Sequence, residues 1–247
     1  MADQEGAAAP VLIESMAWPD IEAAIKGGST TAIIVAASSE QHGPHLPEAT
    51  DALIGQAVAS RLAARLGNAL VAPVIRPGCS DHHMAFAGSI TISAELLMML
   101  LDANVDSLAR HGFERFIVFS SHGGNFPVLT TWAARQERDS VTVITDLPEY
   151  ANVMLSALRP FGRNDTTIPH ADATETSVIL ATNPDLVHME RAARGYEGDA
   201  GLEEVLSRGL RAITPNGIMG NALGSTPEMG EAVLEALVEY LVEKATP

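Results

Sequence analysis

Three short segments of the chain gather the residues that could do chemistry. The first runs Glu40-Gln41-His42-Gly43-Pro44-His45-Leu46-Pro47-Glu48-Ala49-Thr50-Asp51. The second is Ser121-His122-Gly123-Gly124-Asn125, and the third is His170-Ala171-Asp172-Ala173-Thr174-Glu175. Mixed imidazole and carboxylate ligands suit zinc, manganese or iron. Two histidines, His42 and His122, with three carboxylates, Glu40, Asp51 and Glu175, could hold two divalent ions. One carboxylate would then bridge ions about 3.5–4 Å apart. Such a pair brings the pKa of bound water near neutrality and polarises a carbonyl. Gly123 and Gly124 would let the backbone approach a metal or substrate, and Pro44 and Pro47 would stiffen the first loop.

Each signal has a plainer reading. A Glu-x-His pair after a strand is often only a surface loop. Asp51 would serve as a helix N-cap, His122 could satisfy a turn, and Glu175 could favour the dipole of a first helical turn. The placement of all these groups at predicted element ends favours the metal reading.

Those ends follow from the hydrophobic pattern. Short β-branched or apolar runs predict strands over Thr30–Ala37, Ala69–Pro73, Arg115–Ser121 and Val141–Thr145. Apolar stripes at helical spacing predict helices over Asp51–Leu66, Ser93–His111, Asn125–Arg138, Thr174–Thr182 and Thr226–Lys244. Ser93 is a candidate cap, and Gly112 lies just past its helix. Strands alternating with helices predict an α/β fold with a mainly parallel sheet covered on both faces. Residues 1–10 read as a flexible N-terminal tail and 11–247 as one domain, with long loops expected between Ala193 and Gly224. In such sheets ligands bind beyond the carboxyl ends of the strands, so the first two segments should meet at one rim.

Composition narrows the function classes. The 247 residues carry 15 Lys and Arg against 31 Asp and Glu, a net charge of −16. That balance offers no general attraction for nucleic acid or an anionic membrane. Apolar residues at 47% fit a packed globular core, and the single cysteine, Cys79, excludes an intrachain disulfide and a multi-cysteine zinc site. No apolar run reaches the ~20 residues of a membrane span. Residues 1–10 show no signal-peptide pattern, so a cytoplasmic location is expected.

The three segments resemble the creatininase (creatinine amidohydrolase) family. Its pattern is E-Q-H-G-P-H-L-P-x-x-T-D after a strand, then H-G-G-N, then H-A-x-x-x-E-T. The chain carries all of Glu40–Asp51, then His122–Asn125, then His170-Ala171 with Glu175-Thr176. A weaker G-x-S-x-x-H-x-x-F-x-G element matches Gly78, Ser80, His83, Phe86 and Gly88, and Gly217-Ile218-Met219-Gly220 also matches.

The resemblance implies a three-layer α/β sandwich and two divalent ions on Glu40, His42, Asp51 and His122, with Asp51 bridging. Creatininase takes a further glutamate where this chain has Gly124; members with H-G-G-N use the glutamate that is Glu175 here. His170 matches the proposed proton-transfer histidine. A homo-oligomer is implied, a hexamer as in the family.

Creatininase boxes its substrate with tryptophans before the H-A motif, and this chain has none between Asp146 and His170. The expected activity is therefore hydrolysis by metal-bound hydroxide of a C–N bond in a cyclic amide, formamide or similar small molecule, and not creatinine itself. Alternatives are ring-opening C–C hydrolysis of an inosose-type cyclic polyol ketone, and peptide trimming during redox-cofactor maturation. Outside enzymes, the alternative is a catalytically silent assembly protein. His83, His45, Asn125 and Gly123 are candidate substrate contacts. Plainer roles are a structural histidine for His83 and a helix cap for Asn125. His82 is expected to be exposed, Trp132 to pack in the core, and Cys79 to be buried and inert.

Overall fold

Strand β1 (Thr31–Ala36) is buried along its whole length, as a β-branched run in the middle of a parallel sheet must be. It pairs with β2 (Ala69–Val71) on one side and β3 (Arg115–Ser120) on the other, and β4 (Val141–Val143) pairs with β3. All three pairings are parallel, in the order β2-β1-β3-β4. The β1–β3 register runs from Thr31 opposite Arg115 to Ala36 opposite Ser120. The computed structural model describes residues 11–164 and 168–245, so the expected tail over 1–10 lies outside the described residues.

Alternating side chains of the central strands feed two cores. Ile33, Val35, Ile117 and Phe119 pack against α2 (Thr50–Leu66), α5 (Leu147–Ala157), α6 (Ala173–Thr182) and α8 (Pro227–Ala245). Ala32, Ile34, Phe116 and Val118 face α3 (Ala94–Arg110) and α4 (Phe126–Ala133), with α1 (Trp18–Lys26) at the margin. This is the expected α/β sandwich: one parallel sheet between two helical layers. Each fully buried aliphatic chain contributes about 1.5–3 kcal/mol of burial, so the strand pattern itself dictates the layering. A third, small cluster joins Val205 of α7 (Leu202–Arg208) to Leu210 and Met219.

The four strands and five helices expected from sequence are present with ends moved by a few residues. The largest difference is α4, which stops at Ala133 and is preceded by a 3-10 turn over Gly123–Asn125. Helices α1, α5 and α7 were not expected. Trp132 is buried and donates its indole N–H to Asp102 at 2.8 Å. Among the described residues, no helix is long and apolar enough to cross a membrane.

Candidate metal centre

The loop after β1 and the loop after β3 leave neighbouring strands at the same end of the sheet, and their side chains meet there. Asp51 lies in the first turn of α2, but it does not cap that helix; Ala49 occupies the cap position without a side-chain bond. Instead, Asp51 Oδ2 accepts from the Ser38 hydroxyl at 2.6 Å and lies 3.3 Å from His122 Nδ1. Its Oδ1 lies 3.1 Å from His42 Nε2. Glu175, in the first turn of α6, approaches the same His42 nitrogen at 3.7 Å. Its carboxylate accepts the Ala171 N–H at 2.5 Å. Ala171 holds φ at +53°, a left-handed conformation that a non-glycine residue adopts only at some cost.

Backbone carbonyls orient both histidines. His42 Nδ1 stands 3.1 Å from the Glu40 carbonyl oxygen, and His122 Nε2 stands 3.0 Å from that of Cys79. A carbonyl only accepts, so each of these nitrogens carries the proton. The other nitrogen of each ring is left with its lone pair aimed at carboxylates. This is how metal-binding histidines are held. Glu40 makes the same point from the acidic side. Its Oε1 has His122 at 3.1 Å, His83 at 3.2 Å and His170 at 4.0 Å, yet neither of its buried oxygens has a hydrogen-bond partner.

Lone pairs facing carboxylates inside a protein require a positive charge, either a proton or a cation. The proton affinities show that demand. Burial alone would lower His42, but Asp51, Glu175 and Glu40 carry it up to about 10. Burial opposes His122 too, and Glu40 and Asp51 raise it well above the ordinary value. Burial works against an ionised Asp51, yet His42 and His122 hold its carboxyl well below the usual range. Glu175 is pushed up to about 8, chiefly by burial. The donor set therefore fits divalent cations. Two trios have ligand atoms close enough to share one ion, Glu40–Asp51–His122 and His42–Asp51–Glu175, and Asp51 belongs to both. A third trio of Glu40, His42 and His170 meets the same distance criterion.

Around this cage sequence reasoning missed one organiser, Gln41. Its side-chain nitrogen lies 3.1 Å from His83 Nδ1, 2.9 Å from His170 Nε2 and 3.3 Å from the Gly217 carbonyl. Its oxygen accepts the Gly43 N–H at 2.8 Å. Gly217 is packed so tightly on this amide that a Cβ there would collide with Gln41 Oε1. That contact accounts for the first glycine of the Gly-Ile-Met-Gly stretch, while Gly220 packs on Asp172, and Met219 pairs with the His170 backbone. Lying between two metal-type residues, Gln41 offered no chemistry of its own to flag it.

Other expectations change. His82 is buried, not exposed: its ring stacks on His122 with centroids 5.6 Å apart. Burial lowers it to about 4. Asn125 neither caps α4 nor is free for substrate, because its amide donates to the Ala36 and Ala37 carbonyls and accepts the Cys79 N–H. His45 is fully buried, 2.8 Å from the Thr176 hydroxyl, and does not line the hollow around the cage. His83, His170 and Gly123 do line it. Cys79 is half-buried and burial raises its thiol, which suits an unreactive side chain.

Comparison with known proteins agrees with this architecture. The creatininase family model, creatinine amidohydrolase, matches residues 14–245. A mycofactocin precursor peptide peptidase of Mycobacterium ulcerans (strain Agy99) is 35% identical over 239 residues, covering 92% of this chain and 84% of that protein. The creatinine amidohydrolase of Pseudomonas putida is 25% identical over 248 residues, covering 94% and 95%. A solved creatininase of Zn–Zn type, bearing a glutamate-to-glutamine mutation, matches with a TM-score of 0.79 at 25% identity, across 97% of this chain and 100% of that one. With sequence match and fold both extending over nearly its whole length, the chain belongs to the creatininase family.

Proposed function

We propose that this creatininase-family hydrolase cleaves an amide C–N bond with two divalent cations, and that the amide belongs to a peptide. The observation that carries the two-metal reading is Asp51, common to two ligand trios, beside a buried Glu40 with no hydrogen-bond partner. Glu40, Asp51 and His122 would hold one ion, and His42, Asp51 and Glu175 the other. When bound, such a pair supplies an activated water near neutral pH and withdraws electrons from the scissile carbonyl. Zinc or manganese is the favoured occupant, since solved creatininases include Zn–Zn and Mn forms.

The chain's own contribution centres on His170. Its Nε2 has both an acceptor, the Gln41 carbonyl at 3.0 Å, and a donor, the Gln41 amide at 2.9 Å. With Nε2 protonated, the ring donates to the carbonyl and Nδ1 is free to take a proton from the cage side. With Nδ1 protonated, the Gln41 amide supports Nε2 instead. Either tautomer is satisfied, so His170 can collect a proton at Nδ1 and release it to a leaving nitrogen. His83, 3.1 Å from the Gln41 amide, lies beside it to orient substrate, and Gly123 leaves the rim open on the other side.

The sequence ranked small non-peptide amides first, ring-opening C–C hydrolysis next and peptide trimming after it. The comparisons favour the peptide reading: 35% identity to a peptide peptidase, against 25% to a creatinine amidohydrolase and 23% to a 3-dehydro-scyllo-inosose hydrolase of Thermotoga maritima. Assembly as a homo-oligomer, implied by family resemblance, belongs to the same proposal and is read by light scattering. The deciding experiment loads the purified protein with zinc or manganese, counts metal by mass spectrometry, and offers short peptides, creatinine, formamides and cyclic polyol ketones. Two ions per chain and metal-dependent peptide cleavage are expected. Turnover of another substrate with peptides untouched would overturn the peptide reading, and a chain without metal affinity would overturn the whole proposal.

A further inference from the structure

The hollow around the cage is small, about 50 Å³. A water needs about 10–15 Å³ of such space, so the hollow admits a reacting group the size of a few waters and not a whole peptide. The rest of any substrate must lie in adjoining space. A cleft of about 470 Å³ opens beside it, inside the roughly 300–1,000 Å³ range of small-molecule sites. The hollow and the cleft share Ile168 and Leu202. A narrow gap that reaches Gly123 and Glu175 also shares Leu147, Ala151 and Ile168 with the cleft, so the cleft adjoins the cage on this side.

The wall is built mainly from one stripe of α5, Leu147, Ala151 and Leu155, at intervals of four residues, facing Ile168 and Leu202, with Arg159 as the charged member of the lining. Tyr150 and Met154 of the same helix are already spent on the core. Leu155, Ile168 and Leu202 join none of the hydrophobic clusters of the described residues. All three are half-buried and face the cleft. We infer that this cleft is a subsite for one large apolar side chain, aliphatic or aromatic, carried next to the amide that reaches the cage. The inference rests on the proposed amide hydrolysis for what the neighbouring group is, and on the cleft alone for what it selects.

Binding tests it without requiring turnover. N-acetylphenylalaninamide and N-acetylglycinamide are titrated into the full-length, metal-loaded protein by calorimetry. Burying the phenyl group should make the first bind about tenfold tighter or more. Leu155→Asp puts a charge in the wall, and Asn152→Trp, from an exposed position on the rim, fills the space. Each should erase most of that preference in a protein whose circular dichroism is unchanged. Equal affinity for the two probes, or a preference untouched by both variants, would overturn the subsite. A protein that prefers the phenyl probe but cleaves no peptide overturns the peptidase reading and supports the subsite. One that cleaves peptides with no regard for apolar side chains overturns only the subsite.

Discussion

Alanine at Gly124 is the sharpest probe of how the cage is packed. Its Cβ would collide with the Cys79 carbonyl oxygen and stand 2.5 Å from His122 Nε2 and 2.7 Å from His82 Cε1. The His122 contact is about 0.9 Å short of an ordinary 3.4 Å one. None of these neighbours can swing aside cheaply. The Cys79 carbonyl holds the His122 ring, the Cys79 N–H is tied to Asn125, and both histidines are buried. Overpacking of this kind costs about 1–3 kcal/mol. At roughly 2–4 °C per kcal/mol for a chain of this size, Tm should fall by about 2–12 °C. His122 displaced by a sizeable part of an ångström misses the ~0.2 Å tolerance of a metal bond, so one of two ions should be lost as well. Gly123→Ala is the matched control, because a Cβ there meets nothing within 4 Å. It should shift stability by no more than about 0.5 kcal/mol. Scanning calorimetry and metal analysis on the pair decide the matter: a Gly124→Ala protein matching Gly123→Ala in both would refute the packing argument.

The other predictions follow from the same contacts. Asp51→Asn weakens the group common to both trios, so metal analysis should find both ions depleted in a folded protein. Glu175→Gln should deplete one ion only, and full occupancy of both would remove Glu175 from the ligand set. Gln41→Leu removes the support of His83 and His170 while leaving every proposed ligand in place. A loss of about 10–100-fold in kcat is expected, with most metal retained; an unchanged kcat would mean that the amide only braces the loop. Chelated protein should be most stable near pH 6.5. His45, His82, His83 and His170 are all lowered by burial, so between pH 6.5 and about 4 the unfolded chain takes up protons that the folded one refuses, and stability falls with acid. Glu175, raised to about 8, works the other way above pH 4.5, as one group against four. Above pH 6.5 the raised His42 and His122 dominate, and their contribution drains away as pH climbs through about 10 for His42. A Tm that rises steadily from pH 6.5 to 9 after chelation would contradict these assignments.

Much of the site was legible because its chemistry lies in contiguous motifs at strand ends, where the α/β rule places ligands. Glu40, His42, Asp51 and His122 converge as their positions after β1 and β3 required. Glu175 could be nominated from the family pattern, but its 3.7 Å approach to His42 depends on how α6 lies against α2, which one-dimensional spacing does not encode. The errors share a cause. Polar side chains can turn inward to neighbours distant in the chain: Asn125 toward β1, Gln41 toward Gly217, His82 onto His122. Helix α5 escaped notice even though Asp146 caps it, accepting the Glu149 N–H at 2.8 Å, with proline in its first turn. Its stripe serves the core and a cleft at once, which blurs the usual single-sided pattern.

The direct pairing of β1 with β3 has a further consequence. Ala36 and Ser120, at the ends of the two strands, are register partners, so the loops bearing the cage start from points set by one hydrogen-bonded ladder. The cleft wall, by contrast, hangs from α5 and the segment after it, outside the ladder. On the function proposed above, reactivity and selectivity would reside in separately replaceable pieces of one polypeptide. A lineage could exchange the flank around α5 and acquire a new substrate while inheriting the histidine and carboxylate cage intact. The relatives named for a precursor peptide, for creatinine and for an inosose are what such a division of labour would leave behind.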